Sequence, residues 1–324
     1  MLHRTRRSGR VVLLVYSQSR RYESGRKSVI CMELEMTHFD RLWETADLTR
    51  RSLIASGAAT GFVAGFAASV QPVMAQTMIM TETTGLEAGF VEIPTSSGPV
   101  PAYRAVAAGA KSRPLVLVVQ EIFGVHEHIA DVCRRLAKLG YCAIAPSLYH
   151  RQGDVTALKS FDEIRPIVAK VPDAQVMSDL DATVAWAVKG GIADETKLGI
   201  TGFCWGGRIV WLYAAHNPKL KAGVAWYGRV LGDKTELQPA HPLDVAAKIK
   251  APVLGLYGGQ DAGIPVETLD KLKAALGPDT KSQFVVYPNS PHAFFADYRP
   301  SYKEADAKDG WQRLQAWFKT NGVA

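Results

Sequence analysis

The chain has 324 residues, of which 47% are hydrophobic and 21% charged, the composition of an ordinary globular protein that can bury a sizeable core. Its formal net charge of +7 is concentrated at the front: residues 1–75 hold 11 Lys/Arg and 6 Asp/Glu, and the remainder holds 27 and 25. Nucleic-acid binding needs a dense basic face, and no basic cluster occurs after residue 76, so we expect no nucleic-acid partner.

The N-terminal segment, residues 1–75, resembles a twin-arginine signal peptide. Arg50 and Arg51 stand in the sequence TRRSLI, a weakly apolar Gly- and Ala-rich stretch follows to Val70, and the sequence QPVMAQ at 71–76 offers the small Ala75 as a cleavage residue. We expect the twin-arginine export machinery to act on it, cleavage after Ala75, a periplasmic or secreted mature protein and no stable membrane anchor. An uncleaved anchor is the alternative, although glycines at 57, 61 and 65 make the stretch poorly apolar. A translation start after residue 31 is a further hypothesis, which sequencing of the precursor would test.

Residues 76–324 contain no repeat, low-complexity tract or long linker, which predicts a single domain. Short apolar runs predict buried strands at 115–119, 142–145, 198–201, 222–226, 253–257 and 284–287, with helical patterns at 129–139, 174–188, 207–215, 266–276 and 302–319. This alternation predicts an α/β protein with a doubly wound, mostly parallel sheet. Ligands bind beyond the carboxyl ends of such strands, so the residues that follow each strand are candidate site residues.

The sequence GFCWGG at 202–207 follows the strand predicted to end at Thr201 and fits a G-x-nucleophile-x-G pattern, with Cys204 in place of serine. The strand must reverse into a helix within about one residue, and glycine neighbours prevent collisions at this strained turn. We therefore expect Cys204 to project into a pocket at a helix N-terminus, whose dipole favours negative charge. The alternative is a glycine-rich turn with an inert buried cysteine.

A carboxylate and a histidine follow two later strands, in the chain order that an α/β-hydrolase requires. Asp261 ends the glycine turn after the strand at 253–257, and His292 lies in the loop after the strand at 284–287. Either residue alone would be an ordinary surface residue. Three such residues in this order predict Cys204 as nucleophile, Asp261 as the acid that orients the base, and His292 as the base.

These motifs resemble the dienelactone hydrolase family over nearly all of residues 85–322. The resemblance is carried by QEIFG at 120–124, APSLY at 145–149, the cysteine turn, GGQD at 258–261 and PHAF at 291–294. It implies an α/β-hydrolase fold and cleavage of a small-molecule ester or lactone through an acyl-thioester, with no metal or organic cofactor. It also implies an oxyanion hole made by the N–H groups of Ile122 and Trp205, and a contact between Glu121 and the thiol. Alternatively, Glu121 caps the following helix.

The resemblance further implies that the substrate carries a carboxylate and that Arg151, which follows the strand at 142–145, binds it. Family members have a second arginine four residues after the histidine, where this chain has Ala296. Arg299 is the candidate replacement. The alternative for Arg151 is a solvated loop residue.

Two other patterns carry weaker implications. His126 and His128 are neighbours on one predicted helix and point in different directions, which argues against a metal site. Cys133 and Cys142 lie in the exported part, where a disulfide is permitted, but buried free thiols are the preferred interpretation. Whether they pair is left open by the sequence.

Two competing functions share these motifs. A broad-specificity carboxylesterase or thioesterase would use the same residues, since a fold and a triad determine the reaction and not the acyl group. A non-catalytic redox-sensing or binding protein would use Cys204 as an oxidisable thiol and leave the other residues without a purpose.

The arginine pair gives a direct test of export. Changing Arg50→Lys together with Arg51→Lys is expected to retain the protein in the cytoplasm, because the export machinery recognises the pair. Fractionation of cells that express each form measures this. Appearance of the variant outside the cytoplasm at the wild-type level would show that another signal carries the protein.

Overall fold

The computed structural model describes residues 78–158 and 160–324, together with a short antiparallel pairing of Arg6–Arg7 with Arg10–Val11. The predicted signal peptide, the arginine pair at 50 and 51, the domain boundary and cleavage after Ala75, and the hypothetical start after residue 31 lie outside the described segments. These therefore stay predictions.

The strands of residues 78–324 form one eight-stranded sheet in the order β8-β7-β6-β5-β3-β4-β2-β1. The strands are β1 Leu86–Ile93, β2 Val100–Ala107, β3 Arg113–Val119, β4 Cys142–Pro146, β5 Ala193–Phe203, β6 Ala222–Trp226, β7 Val253–Gly258 and β8 Gln283–Tyr287. Strand β2 runs antiparallel to β1 and β4, and all other neighbours are parallel. The parallel strands β4, β6 and β7 are buried along their whole length, as strands covered on both faces must be.

The helices connect the strands and cover the sheet. They are α1 Glu127–Lys138, α2 Phe161–Val168, α3 Asp173–Lys189, α4 Trp205–His216, the short α5 Pro242–Val245, α6 Val266–Leu276 and α7 Glu304–Thr320, with a 3-10 turn at Ala246–Lys248. Within residues 78–158 and 160–324, no helix combines the length and the apolar character needed to cross a bilayer.

Strand β6 shows that the sheet is covered on both faces. A Cβ on Gly223 would lie 2.7 Å from Cγ1 of Val210, so this position faces α4. A Cβ on Gly310 of α7 would lie 2.6 Å from Cζ3 of Trp226, so the tryptophan faces α7. Positions 223 and 226 point to opposite sides of a strand, which places α4 and α7 on opposite faces.

The predicted doubly wound α/β sheet is confirmed, and the six predicted strands and five predicted helices correspond to elements of the structure. Strands β1 and β2 were not predicted from the sequence, because they are only partly buried along the antiparallel edge and lack the continuous apolar runs of the central strands. Helix α2, in which Ile164 is the buried residue, was not predicted either. This helix begins with a capping box between Ser160 and Glu163 and contains Pro166, a residue that normally disfavours a helix interior.

The turn between β5 and α4 packs against the backbone of two neighbouring strands. A Cβ on Gly206 would lie 2.4 Å from the carbonyl oxygen of Val119 at the end of β3, and one on Gly207 would lie 2.5 Å from that of Trp226 at the end of β6. A Cβ on Gly202 would lie 2.4 Å from the carbonyl oxygen of Gly206. These are contacts with backbone, which has little freedom to move, so the three glycines let the turn approach its neighbours.

We expect Gly206→Ala to destabilise the fold by at least about 2 kcal/mol, because the added methyl group must separate the turn from β3. Gly89→Ala in β1 is the matched control, since a Cβ there meets no atom within 4 Å. Urea denaturation measures both variants. Equal stability of the two would contradict the steric explanation of this turn.

Candidate active site

Cys204 occupies the turn between Phe203, the last residue of β5, and Trp205, the first of α4. Its backbone has φ 55° and ψ −113°, a conformation that is strained for any residue other than glycine. The Cys204 N–H donates to the carbonyl oxygen of Trp226 at 3.0 Å, which helps to hold the turn. The half-buried thiol lies in a cleft at the N-terminus of α4, where the helix dipole favours negative charge.

Asp261 and His292 are hydrogen-bonded, with Nδ1 of the histidine 2.6 Å from Oδ2 of the aspartate. The other aspartate oxygen, Oδ1, accepts the N–H of Gly263 at 2.9 Å. The loops that carry the pair pack backbone against backbone: Gln260 N–H donates to Ser290 O at 3.0 Å, and a Cβ on Gly258 would lie 2.3 Å from that oxygen. Two rigid loops therefore fix the orientation of the imidazole.

The charge of His292 depends on both of its acidic neighbours. Burial by itself lowers its pKa, but the negative charges of Cys204 and Asp261 and its hydrogen bonds to both side chains outweigh burial and raise the pKa to about 10. The thiol therefore lies within reach of an imidazole that holds a proton at neutral pH. A cysteine, an imidazole and a carboxylate so arranged could act as a catalytic triad, and that role stays a prediction.

A cavity of about 270 Å³ opens over these groups. It is lined by Ile122, Cys204, Trp205, Arg208, Tyr227, Arg229, Asp233, Gln238, His241, Gly263, Ile264 and His292. We call it the Cys204 cleft.

The two predicted oxyanion-hole residues, Ile122 and Trp205, both line the Cys204 cleft. The N–H of Trp205 begins helix α4 and has no carbonyl partner within the helix. Ile122 lies in the turn closed by Gly124 N–H donating to Glu121 O at 3.3 Å, and among the described backbone hydrogen bonds the Ile122 N–H is not a donor. Both residues thus line the cleft and have N–H groups outside the regular backbone hydrogen bonding that is described, and their role in an oxyanion hole stays a prediction.

The contacts of Glu121 in the structure differ from the predicted contact with the Cys204 thiol. Its carboxylate is fully buried, accepts the hydroxyl of Tyr298, and lies 3.7 Å from Nε2 of His126 and 4.0 Å from Nη2 of Arg299. Burial alone would raise the pKa of Glu121, but the charge of Arg299 and the hydrogen bond with His126 lower it below its usual range, so the group stays ionised. The carboxylate of Glu121 is therefore held by Tyr298 and Arg299. The described contacts of Glu121 do not include Cys204.

Neither predicted substrate-binding arginine lines the Cys204 cleft. Arg151 donates through Nη1 and Nη2 to the buried carboxylate of Asp179 at 2.8 and 3.0 Å, through Nη2 to Thr95, and through Nε to the carbonyl oxygen of Ser97. Arg299 is buried, with its guanidinium carbon 4.4 Å from the centre of the Phe123 ring. Both guanidinium groups are held by the protein itself, so the implied carboxylate-binding role is not supported for either.

The histidines of the HEH sequence also have internal partners. His128 Nδ1 lies 3.0 Å from Oδ1 of Asp297, and His126 faces Glu121. Within residues 78–158 and 160–324, no group of three or more His, Cys, Asp or Glu residues is placed to hold a metal ion. Cys133 and Cys142 are both free and buried, which answers the open question about a disulfide; burial raises the pKa of Cys142 to about 12.

Six polar residues of the cleft were not predicted from the sequence: Arg208, Tyr227, Arg229, Asp233, Gln238 and His241. Tyr227 and Arg229 come directly after β6, so the rule that found Asp261 and His292 also points to them. Arg208 and His241 gave no such signal, because one lies within α4 and the other in the long connection that follows β6.

A mostly parallel eight-stranded sheet with a strained nucleophile turn between β5 and α4 defines an α/β-hydrolase. A family model described as "Dienelactone hydrolase family" matches residues 100–322. The chain belongs to this family and is a carboxymethylenebutenolidase-like hydrolase.

Its relatives agree with this assignment. A Methylorubrum extorquens protein named "Putative carboxymethylenebutenolidase" is 61% identical over 295 residues, covering 89% of this chain and 100% of that protein. A protein of the same name from Escherichia coli K12 is 52% identical over 267 residues, covering 82% of this chain and 98% of its own. The crystal structure of a "Putative Dienelactone Hydrolase from Klebsiella pneumoniae" is 54% identical with a TM-score of 0.70, covering 72% of this chain and 98% of that one.

The raised pKa of His292 predicts a pH-dependent contribution to stability. The unfolded value is about 6.5, so the stabilisation of the charged ring is complete below that pH and is lost as pH rises through the folded value of about 10. Asp261→Asn removes one partner of the charged ring. Its deficit in the free energy of unfolding is therefore expected to be largest at and just below pH 6.5 and to shrink towards pH 10.

Urea denaturation across this pH range measures the deficit. Asp279→Asn is the control, because it removes an exposed carboxylate and is expected to show a small difference at every pH. A deficit for Asp261→Asn that does not change with pH would contradict the charged His292–Asp261 pair.

Proposed function

We propose that this protein hydrolyses a small carboxylic ester or lactone, with a carboxylate-bearing compound as preferred substrate, by transferring its acyl group to Cys204. The observation that carries the proposal is the 2.6 Å contact of Asp261 with His292, which lines the same cleft as a cysteine held on a strained strand-to-helix turn. A buried structural cysteine needs neither a charged histidine nor a turn that exposes its sulfur.

The first half of the reaction forms a thioester. The Cys204 thiolate attacks the carbonyl carbon, and the carbonyl oxygen becomes an oxyanion that accepts hydrogen bonds from the N–H groups of Ile122 and Trp205. As the carbon–oxygen bond breaks, the imidazolium of His292 donates its proton to the leaving oxygen. With a lactone, the leaving alcohol stays attached to the acyl group.

The second half releases the acid. His292, now neutral, accepts a proton from water, whose oxygen attacks the thioester carbon, and Cys204 leaves as a thiolate beside the restored imidazolium. Asp261 accepts the Nδ1–H bond throughout, which leaves Nε2 to face the reacting atoms and stabilises the charged ring. Proton and electron-pair movements balance without a metal or an organic cofactor.

Glu121 acts in this scheme through its charge rather than as a reactant. A buried carboxylate near a thiolate would oppose ionisation of the sulfur, but Arg299 lies 4.0 Å from Glu121 and offsets that charge. The ion pair thus maintains a nearly neutral environment behind the nucleophile.

The size of the cleft favours a compact substrate. A cavity of about 270 Å³ is at the lower limit of typical ligand pockets, which span about 300 to 1,000 Å³. This supports a small ester or lactone over the long acyl chains that a broad-specificity thioesterase accepts. The non-catalytic redox-sensor alternative leaves the Asp261–His292 pair without a role.

Cys204→Ala is expected to lower turnover of p-nitrophenyl acetate and of a dienelactone by at least about a thousandfold, while the fold is retained. His292→Ala should lose activity to a similar extent, and the double variant should lose little more, because nucleophile and base act as a unit. Initial rates and thermal unfolding of the purified chain measure these effects. Mass spectrometry of the wild type during turnover should detect an added acetyl group that the Cys204 variant lacks.

Cys142→Ala is the matched control, since it removes a buried thiol from β4 and leaves the cleft intact. We expect it to lower stability and to retain turnover per folded molecule. Wild-type rates in Cys204→Ala would refute the proposal, and a double variant far slower than either single variant would refute the concerted roles.

A further inference from the structure

The Cys204 cleft contains arginine side chains of two different kinds. Arg208 is buried, and its guanidinium group is fully engaged by the protein. Its Nη1 and Nη2 donate to the carboxylate of Asp173 at 2.8 and 2.7 Å. Nη2 also donates to the carbonyl oxygen of Ala240 at 2.6 Å, and Nε donates to Nδ1 of His241 at 3.3 Å. Arg229 is exposed and lines the same cleft. It has no hydrogen bond or ion pair with any other residue that the structure describes.

The backbone that carries Arg229 is fixed although its side chain is free. Tyr227 N–H donates to Leu256 O at 2.8 Å, and Leu243 N–H donates to Val230 O at 3.1 Å, which anchors the segment on both sides. A Cβ on Gly228 would lie 2.2 Å from the carbonyl carbon of Gly207, so the segment also presses against the nucleophile turn. Arg229 therefore has a defined position relative to Cys204.

Tyr227 supplies an independent sign of a ligand in this place. Its side chain is fully buried and lines the cleft, its ring centre lies 5.1 Å from that of His292, and its hydroxyl has no hydrogen-bond partner among the described residues. A buried hydroxyl without a partner is unfavourable for stability. A substrate oxygen in the cleft would complete its hydrogen bonding.

We propose that Tyr227 and Arg229 form the carboxylate-binding subsite of the Cys204 cleft, with the guanidinium as ion-pair partner and the phenol as neutral donor. The proposal rests on the hydrolase function above and names the residues that select its substrate. Guanidinium suits the task because it presents paired donors in the plane of a carboxylate. Arg151 and Arg299, engaged by Asp179 and Glu121, are thereby replaced by a pair on the segment that follows β6.

Asp233 allows a second test because this acidic residue also lines the cleft and is not paired with Arg229. A negative charge there repels an anionic substrate, so Asp233→Asn should improve binding of such a substrate. Removal of Arg229 should weaken the same binding. Two opposite charges in one cleft thus predict opposite effects on one substrate.

The test compares p-nitrophenyl hydrogen succinate, which carries a carboxylate, with its neutral methyl ester, using the full chain. Arg229→Gln is expected to raise KM for the anionic ester about 5- to 10-fold and to leave the neutral ester nearly unchanged, as for a charge-assisted contact weakened by solvent. Arg229→Lys should retain part of the preference. Tyr227→Phe should reduce kcat/KM for the anionic ester more than for the neutral ester, without a lower Tm, since the lost hydroxyl has no partner in the fold.

Arg151→Gln is the matched control, expected to lower Tm through the loss of its contacts with Asp179 and to leave the ratio of the two KM values unchanged. Equal changes for both esters in Arg229→Gln, or no change for either, would overturn the subsite. So would a carboxylate-specific loss in Arg151→Gln.

Calorimetric titration with monomethyl succinate separates this proposal from the proposed function. Weaker binding to Arg229→Gln than to wild type supports the subsite even if the chain cleaves neither ester, an outcome that would refute the hydrolase function alone. Equal binding to both proteins would refute the subsite alone.

Discussion

The close approach of the β5–α4 turn to the ends of β3 and β6 is the constraint on which the site depends. Backbone atoms on both sides leave no room for a side chain at Gly202, Gly206 or Gly207. Held from both sides, Cys204 keeps a positive φ that a free chain would avoid. The packing of the sheet thus maintains the strain at Cys204, the proposed nucleophile, and this turn places the sulfur in the cleft at the N-terminus of α4.

Behind Cys204, buried charges are arranged as a connected network. Glu121 faces Arg299 and Tyr298, the ring of Tyr298 lies 5.1 Å from that of His128, and His128 bonds Asp297. Oδ2 of Asp297 in turn accepts a hydrogen bond from Nη2 of Arg135 at 2.6 Å. An ionised carboxylate beside an active site would be unfavourable if unpaired, and this network distributes its charge among partners from α1 and from the segment before α7. The network also explains why the arginine expected at the substrate is instead a structural residue.

Solvent exposure divides the arginines near the site by role. Arg151, Arg208 and Arg299 each face a carboxylate of the protein, so their charges stabilise the scaffold. Arg229 lies at the surface of the cleft, where a substrate can reach it. Position after a strand identifies polar residues near the carboxyl edge of the sheet, but only pairing in three dimensions separates a scaffold residue from one that can bind a ligand.

The sequence by itself determined the α/β-hydrolase class, the central strands and the order of Cys204, Asp261 and His292, because continuous apolar runs and glycine turns are local patterns with steric causes. Only the tertiary structure decided the partners of the charged residues. Glu121 is hydrogen-bonded to Tyr298, which lies 177 positions away in the chain, and Arg151, in the turn after β4, is paired with Asp179 of α3. The energy of such pairs depends on distance and burial after folding, and neither quantity is encoded in the local sequence around a charged residue.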